Sequence, residues 1–172
     1  MSSRLYQVLF LCTGNSARSV MAECLLNRLG GGRFQAHSAG SHPKGAVHPT
    51  TLALLGSMGY DTTTLSSKSW DVFARPGAEP LDFVFTVCDA AAGESCPVWP
   101  GQPVTAHWGV LDPAAFVGPK EEELRYFRQV YLTLARRIQL FVEIPIQKLD
   151  RFSLTHAVEA IGKEPPSVEK NR

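Results

Sequence analysis

The segment VLFLCTGNSARSVMAE, residues 8–23, places one cysteine and one arginine where both could act on the same anion. Cys12 precedes Arg18 by six residues, and only small or polar residues lie between them. A cysteine thiolate is a nucleophile, and a guanidinium can bind two oxygens of a tetrahedral oxyanion at once. The pair therefore indicates nucleophilic attack on an oxyanion that Arg18 holds.

The residues around this pair favour the same interpretation. An apolar run typical of a buried strand ends at Cys12, and an amphipathic helix pattern follows Ser19. Gly14 and Asn15 permit the tight turns and positive φ of a loop that wraps its N–H groups around an anion at a helix N-terminus. The positive helix end and Arg18 would favour the thiolate, and Ser19 would donate a hydrogen bond to it. The alternative is a buried strand-end cysteine with no chemical role.

A thiolate that attacks an oxyanion must expel an oxygen leaving group, which needs a general acid. The segment HWGVLDPA, residues 107–114, offers Asp112, which Pro113 fixes on a loop. The alternative is an ordinary Asp-Pro turn, because this dipeptide is common in turns.

Four apolar segments with the length of strands alternate with amphipathic segments. The predicted strands lie in residues 5–12, 33–40, 81–88 and 103–108, and the predicted helices lie in residues 19–32, 48–60 and 121–144. The last helix has the clearest apolar stripe, formed by Leu124, Phe127, Tyr131, Leu134, Ile138 and Phe141. This alternation predicts an α/β fold of three layers, α/β/α, around a central four-stranded parallel sheet.

The carboxyl ends of parallel strands meet at one edge of the sheet, where ligands bind. Cys12 ends the first predicted strand, Cys88 ends the third, and Asp112 follows the fourth. The sequence therefore predicts that these three groups share one edge.

The composition is that of a globular domain, with 44% hydrophobic residues in 172 and a formal net charge of +1. This charge gives no support for nucleic-acid binding. The N-terminal apolar run is too short to span a membrane, and no small-residue cleavage site follows it. We expect a cytoplasmic protein without a membrane or nucleic-acid partner. Four cysteines do not make a disulfide scaffold in a chain of this length, and the spacing of Cys88 and Cys96 does not fit a zinc knuckle.

We expect one domain over residues 1–150, followed by a polar C-terminal tail over residues 151–172. The pattern allows a short helix near residues 153–161. Beyond that helix the tail is rich in Pro, Lys and Glu, so we expect disorder.

Four motifs resemble, in the same order, those of the low-molecular-weight protein tyrosine phosphatase fold and, more narrowly, of the thioredoxin-coupled arsenate reductases built on it. These motifs are CTGNSARSVMAE, SAG, TVC…CPVWPG and HWGVLDPA, within residues 5–143. The resemblance implies that Cys12 is the nucleophile, that Ser19 supports its thiolate, and that Asp112 is the acid. The oxyanion loop would then consist of Thr13, Gly14, Asn15, Ser16, Ala17 and Arg18.

The resemblance also assigns Cys88 and Cys96 to a redox relay. Phosphate ester hydrolysis moves no electrons, whereas reducing arsenate to arsenite takes two electrons, which two thiols supply by forming a disulfide. Cys88 would attack the Cys12 sulfur, and Cys96 would then attack Cys88 and free Cys12. The loop between Cys88 and Cys96 would have to move or partly unwind. Arsenate would be the substrate, with phosphate or sulfate as analogues, and a thioredoxin or glutaredoxin-like protein would supply external thiols.

The resemblance implies one further ligand and shows two departures from the family pattern. Some relatives bind a potassium ion near the oxyanion loop, and the matching positions here are Asn15, Glu23, Ser38 and Asp71. No other bound cofactor is implied. Ala17 stands where many relatives have a second loop cysteine, which is not a relay thiol. The other departure is the segment between Cys88 and Cys96, which is one residue longer than in thioredoxin-linked relatives.

Two other functions use the same residues. A low-molecular-weight tyrosine phosphatase would hydrolyse phosphotyrosine or small aryl phosphates through a phosphocysteine at Cys12. Such enzymes offer aromatic walls, often a Tyr soon after the Asp-Pro, whereas Ala114, Ala115 and Phe116 follow here. A noncatalytic oxyanion-binding or redox-sensing module is disfavoured, since nucleophile, arginine and acid are all present. We expect arsenate reduction for arsenic detoxification.

Overall fold

The computed structural model describes residues 4–166, and within them it contains one sheet of four strands. These strands are β1 (Tyr6–Cys12), β2 (Phe34–Gly40), β3 (Phe83–Thr86) and β4 (Val104–His107). All of them are parallel, in the order β2-β1-β3-β4. The predicted α/β class and the four-stranded parallel sheet are confirmed.

Five α-helices within residues 4–166 accompany the sheet. They are α1 (Arg18–Leu29), α2 (Pro49–Ser57), α3 (Asp89–Ala92), α4 (Lys120–Val142) and α5 (Arg151–Gly162). The first helix stops at the glycine run, as predicted: it ends at Leu29, and Gly31 and Gly32 take φ values of 61° and 80°, which are incompatible with a helix. Pro49 occupies the first turn of α2, where its missing N–H loses no hydrogen bond.

The two faces of the sheet are covered unequally. β1 is buried at all seven positions, as expected for a central parallel strand. Val8 and Phe10 pack into the larger core with residues of α1, α2, α4 and α5. Leu9 and Leu11 pack on the other face, in a smaller cluster bordered by the 3-10 turn Trp70–Phe73. The outer layer on this smaller face is thin, because the segments that cover it contain too many Pro and Gly residues for a long helix.

α4 is the amphipathic helix that the apolar stripe predicts. Its acidic first turn suits the positive end of the helix dipole. The stripe faces the core, with two members, Leu124 and Tyr131, only partly buried at its margin. The charged residues on the other face keep α4 from resembling a membrane span, and among residues 4–166 no helix combines the length and apolar character needed to cross a bilayer.

Residues 151–162 pack onto the domain as a helix, whereas we expected the domain to end at residue 150. α5 contains the short helix expected near 153–161 and buries Leu154, Val158 and Ile161. The fully buried Trp108 donates its indole N–H to the Val158 carbonyl oxygen at 2.9 Å. The spacing of these apolar residues gives α5 one apolar face, which the polar composition of the whole segment conceals. The part of the tail expected to be disordered includes residues 167–172, which lie outside the described residues.

Arg137 ties α4 to the segment that leads to Asp112. Its buried guanidinium donates to the carbonyl oxygens of Trp108 at 2.9 Å, Gly109 at 3.0 Å and Glu164 at 3.3 Å. Burial lowers the pKa of Arg137, and the Glu164 carboxylate opposes this effect. The Arg137 side chain thus fixes both the segment that leads to Asp112 and the residues just after α5.

Replacing Arg137 by Met should lower the free energy of unfolding by about 3 kcal/mol, because three carbonyl oxygens lose a charged donor. Arg136→Met is the matched control, since Arg136 is exposed on the same turn, and it should change the free energy by less than about 0.5 kcal/mol. Urea unfolding followed by tryptophan fluorescence measures both. Equal losses in the two variants would contradict the anchoring role of Arg137.

Candidate active site

The sheet brings the predicted chemical groups to one edge. β1 ends at Cys12, Cys88 follows the end of β3, and Asp112 lies on the segment after β4. A cavity of about 200 Å³ opens at this edge. It is lined by most of the oxyanion loop and by residues that follow β2 and β4: Cys12, Thr13, Gly14, Ser16, Ala17, Arg18, His42, Lys44 and Asp112.

The buried Cys12 sulfur lies against two hydrogen-bonding groups. The Ser19 hydroxyl oxygen is 2.9 Å from it, and the Asn15 backbone N–H donates to it at 3.2 Å. α1 begins at Arg18 with no acidic residue in its first turn, so the positive end of the helix is left for an anion. The Cys12 sulfur therefore lies among hydrogen-bonding groups at the positive end of a helix.

Asn15 decides where the Ser19 hydroxyl proton points. Its backbone φ of 46° is in the left-handed region, which Asn tolerates better than most residues, whereas Gly14 does not take the positive φ that we expected. The buried side chain accepts from the Lys68 backbone N–H at 2.8 Å, which directs its amide NH₂ to Ser19 Oγ, also at 2.8 Å. Because Ser19 accepts this hydrogen bond, its own proton is left for the Cys12 sulfur.

Close packing of β2 against the oxyanion loop explains the glycine of the SAG motif. A Cβ atom on Gly40 would lie 2.4 Å from the Thr13 carbonyl oxygen and 3.0 Å from the Asn15 Cβ, so a larger residue would push the loop away. The segment after β2 also pairs with the loop, since the Lys44 N–H donates to the Gly14 carbonyl oxygen at 3.0 Å. The loop backbone is therefore held in place by the protein itself.

Arg18 and Asp112 face each other across the cavity. One Arg18 terminal nitrogen lies 3.5 Å from an Asp112 oxygen, and the other donates to the Val110 carbonyl oxygen at 3.2 Å. The second Asp112 oxygen accepts from the Ala114 N–H at 3.0 Å and so caps a short 3-10 turn. The Asp112 side chain is 40% exposed, which allows it to exchange a proton with water. The arrangement presents a guanidinium and a carboxyl group to one bound anion.

The cavity suits a small anion better than an aromatic ring. Among the described residues that line it, none is Phe, Tyr or Trp. Phe116 packs instead on Tyr126, with their ring centres 4.7 Å apart. His42 borders the cavity as we expected, and Lys44 adds a cation that the sequence analysis missed. Its position four residues after the SAG glycine was the one available signal.

Cys88 lies against the oxyanion loop. Its buried sulfur is 3.5 Å from the Thr13 hydroxyl oxygen. As the N-cap of α3, the sulfur also accepts from the Ala91 N–H at 3.4 Å. Since Thr13 directly follows Cys12, the second predicted thiol sits beside the neighbour of the predicted nucleophile.

Cys96 lies apart from Cys88 in this state of the molecule. Both thiols are free, and Cys96 is exposed on the segment after α3, with its sulfur 3.8 Å from the Glu94 carbonyl oxygen. Partial desolvation, followed by the Glu94 carboxylate, raises the pKa of the Cys96 thiol. A disulfide requires Cα atoms within about 7 Å, and α3 intervenes between the two cysteines. The last step of the predicted relay would therefore unwind or displace α3.

His107 contacts the start of α3 and not Asp112. The His107 ring is bonded to the Thr86 hydroxyl and to the Asp89 carboxylate, both at 2.7 Å. Asp89 is the first residue of α3, so these bonds join the helix to the ends of β3 and β4. Trp108 lies at the start of the segment that leads to Asp112, and Arg137 holds this start by donating to the Trp108 carbonyl oxygen.

Two of the four residues expected to bind potassium, Glu23 and Ser38, lie near a lysine side chain. Ser38 donates from its hydroxyl to the Glu23 carboxylate at 3.2 Å, and its carbonyl oxygen accepts from the Lys68 ammonium at 3.0 Å. Burial raises the pKa of Glu23, and the Lys68 ammonium and Ser38 oppose that rise. Asp71 is exposed in the turn Trp70–Phe73, and its backbone N–H bonds within that turn to Ser69. Glu23, Ser38 and Lys68 therefore form one polar cluster at the positions where we expected potassium.

Cys24 is a core residue of α1, as the sequence predicts. Burial, and then the Glu23 carboxylate, raises its pKa to about 12, so the thiol stays protonated. The remaining cysteine therefore offers no reactive thiolate.

Comparison with known proteins extends these observations. Residues 7–152 match the family described as low molecular weight phosphotyrosine protein phosphatase. The arsenate reductase of Halalkalibacterium halodurans is 35% identical over 79% of this chain and 94% of that protein. The arsenate reductase structure from Archaeoglobus fulgidus aligns with a TM-score of 0.62 and 28% identity, over 80% of this chain and 99% of that chain. A thioredoxin-dependent arsenate reductase from Corynebacterium glutamicum aligns with a TM-score of 0.55 and 29% identity, over 82% of this chain and 65% of that chain.

The family match extends from β1 into α5 and so includes every strand and the whole candidate site. The alignment with the arsenate reductase of Halalkalibacterium halodurans covers 94% of that protein. The chain belongs to the low molecular weight phosphotyrosine protein phosphatase family, within the group that contains the arsenate reductases.

Proposed function

We propose that the protein reduces arsenate to arsenite with three of its own thiols, those of Cys12, Cys88 and Cys96. The observation that carries this proposal is the 3.5 Å distance between the Cys88 sulfur and the Thr13 hydroxyl oxygen, which places a second thiol beside the nucleophile's loop. A phosphatase has no use for that thiol, because hydrolysis moves no electrons. The similarity to arsenate reductases supports the same conclusion.

In the first step the Cys12 thiolate attacks the arsenic atom of an arsenate bound by the oxyanion loop. A sulfur–arsenic bond forms and an arsenic–oxygen bond breaks. Asp112 gives a proton to the departing hydroxyl group, which leaves as water. Arg18 and the positive end of α1 compensate the charge on the remaining oxygens.

The second step moves two electrons. The Cys88 thiolate attacks the Cys12 sulfur, and the sulfur–arsenic bond breaks with its electron pair left on arsenic, which departs as arsenite. A Cys12–Cys88 disulfide forms, so two thiols are oxidised as arsenic is reduced. Cys96 then attacks the Cys88 sulfur and releases Cys12 as a thiolate.

An external dithiol protein of the thioredoxin or glutaredoxin type would reduce the Cys88–Cys96 disulfide. The exposure of Cys96 supports this, since a partner can reach its sulfur directly. One structural relative is described as thioredoxin-dependent. Because the cycle starts from reduced thiols, we place the protein in the cytoplasm, where cysteines are kept reduced.

The same Cys12, Arg18 and Asp112 could open a phosphate ester, with water in place of Cys88. The absence of Phe, Tyr and Trp among the described cavity residues argues against a phosphotyrosine pocket. We therefore expect only weak hydrolysis of small aryl phosphates, as a side reaction of the shared chemistry.

A single turnover tests the proposal. Fully reduced protein mixed with arsenate, and with no reductant, should release about one arsenite per chain and lose about two thiols. Cys88→Ser should release none, because no second thiol can displace arsenic from Cys12. Cys96→Ser should release about one arsenite and then stop, with Cys12 held in a disulfide. Arsenite is counted by chromatography with arsenic detection, and thiols are counted after denaturation.

Cys24→Ala is the matched control, since Cys24 is a buried thiol outside the relay, and it should behave as the wild type does. If the wild-type protein hydrolyses an aryl phosphate but releases no arsenite, the reductase proposal is wrong and the protein acts as a phosphatase. Arsenite that appears only with an added small thiol would show that an external thiol acts in place of Cys88.

Replacing Ser19 by Ala should slow the alkylation of Cys12 by iodoacetamide at neutral pH by about tenfold, because the thiolate loses a charge-assisted hydrogen bond. Mass spectrometry of the Cys12 peptide gives the rate. Ser57→Ala, which removes an exposed hydroxyl at the end of α2, should leave the rate unchanged. An unchanged rate in Ser19→Ala would mean that Ser19 does not donate to the sulfur.

Replacing Asp112 by Asn should slow arsenite release in the single turnover by about 10²–10³-fold, because the leaving oxygen loses its proton donor. Asn keeps an oxygen that can accept from the Ala114 N–H, so the loop should retain its shape. Arsenate binding, measured as protection of Cys12 from alkylation, should change little. A wild-type rate of release would remove Asp112 from the acid role.

A further inference from the structure

The segment that follows α2 brings one ammonium group beneath the oxyanion loop. Lys68 Nζ donates to the carbonyl oxygens of Ser38 and Ser66, both at 3.0 Å. Ser38 is fully buried at the end of β2, and its hydroxyl donates to Glu23. The ammonium is therefore held by two carbonyl oxygens, and its charge lowers the pKa of the Glu23 carboxyl against the effect of burial. Such a set of oxygen groups suits a monovalent cation.

The backbone of the same residue is joined to the oxyanion loop. The Lys68 N–H donates to Asn15 Oδ1 at 2.8 Å, and its carbonyl oxygen accepts from the Gly40 N–H at 2.9 Å. Asn15 in turn holds the Ser19 hydroxyl that faces the Cys12 sulfur. Because the ammonium group anchors Lys68, it also helps to fix the hydrogen bonds around the Cys12 sulfur.

We propose that the Lys68 ammonium takes the place of an alkali cation beside Ser38 and Glu23. The Lys68 side chain then supplies the positive charge at this position, and potassium does not bind there. Lys68 does not touch the substrate, so it is a positioning residue that acts on Cys12 through Asn15. The proposal concerns the cation and the hydrogen bonds, and it holds whichever oxyanion the cavity binds.

An ammonium and a potassium ion exclude each other at this position for two reasons. The Ser38 and Ser66 carbonyl oxygens already accept hydrogen bonds from Nζ, so they are not free to ligate a second cation. Two positive charges a few ångströms apart and partly removed from water repel each other strongly. A protein with Lys68 in place should therefore be indifferent to the choice of monovalent salt.

The first experiment compares the thermal unfolding midpoint of the reduced wild-type protein in potassium chloride and in tetramethylammonium chloride at equal ionic strength. A specifically bound cation would raise the midpoint by several degrees, because it binds the folded state alone. We expect the same midpoint in both salts. A midpoint that rises selectively with potassium would overturn the proposal.

The second experiment removes the ammonium. Lys68→Ala should unfold at a lower temperature than the wild type, and its Cys12 should react several-fold more slowly with iodoacetamide at neutral pH. Both defects should be partly repaired by potassium and not by tetramethylammonium, since the vacated space can now admit the smaller cation. Lys148→Ala, at an exposed lysine, is the matched control and should show neither defect. Defects in Lys68→Ala that are equal in both salts would overturn the cation role.

A double-mutant cycle of Lys68 and Glu23 tests the proposal even if Lys68→Ala does not fold. Lys68→Met keeps most of the side-chain volume and leaves the Glu23 carboxylate without its cation. The double variant with Glu23→Gln should recover much of the lost unfolding midpoint, because the half-buried negative charge is also gone. Losses that simply add would show that the two groups do not act as a pair and would overturn the proposal. These measurements need no arsenate, so they stand apart from the failure or success of the single turnover.

Discussion

The hydrogen bond from Ser19 to the Cys12 sulfur is the interaction on which the rest of the site depends. A buried thiolate is stable only where protein donors replace the water that it has lost. The Asn15 amide donates to the Ser19 oxygen, so the Ser19 proton points to the Cys12 sulfur. The Lys68 N–H donates to the Asn15 side-chain oxygen and so orients that amide. The reactivity of one sulfur thus depends on two segments, residues 12–19 and the segment around Lys68, that meet only in the folded chain.

The oxyanion loop and the redox cysteines have opposite structural requirements. An oxyanion needs donors that are fixed in advance, and the oxyanion loop is held by β2, by the segment after it and by α1. Disulfide exchange instead needs sulfur atoms that change partners. Cys88 caps a helix of only four residues, which His107 joins to the sheet through Asp89. The fold separates these demands by placing them after different strands.

Much of the fold was readable from local pattern, because burial of a parallel strand or of one helix face leaves a direct trace in the order of apolar residues. The four strands, α1 and α4 follow that trace. α5 was underestimated, since three apolar residues in a polar segment became significant only against Trp108. The layer on the second face is thin because Pro and Gly interrupt the segments that lie there.

The sequence by itself determined the chemistry: a cysteine, an arginine and an acid at the ends of parallel strands, with two more thiols available to supply electrons. Only the tertiary structure decided how these groups are supported. Lys68 lies 53 residues from Asn15, whose side chain it orients, and no local pattern marks it. Hydrogen bonds and charges act over a few ångströms, so their partners are set by which segments the sheet brings together, and the order of residues along the chain does not record that.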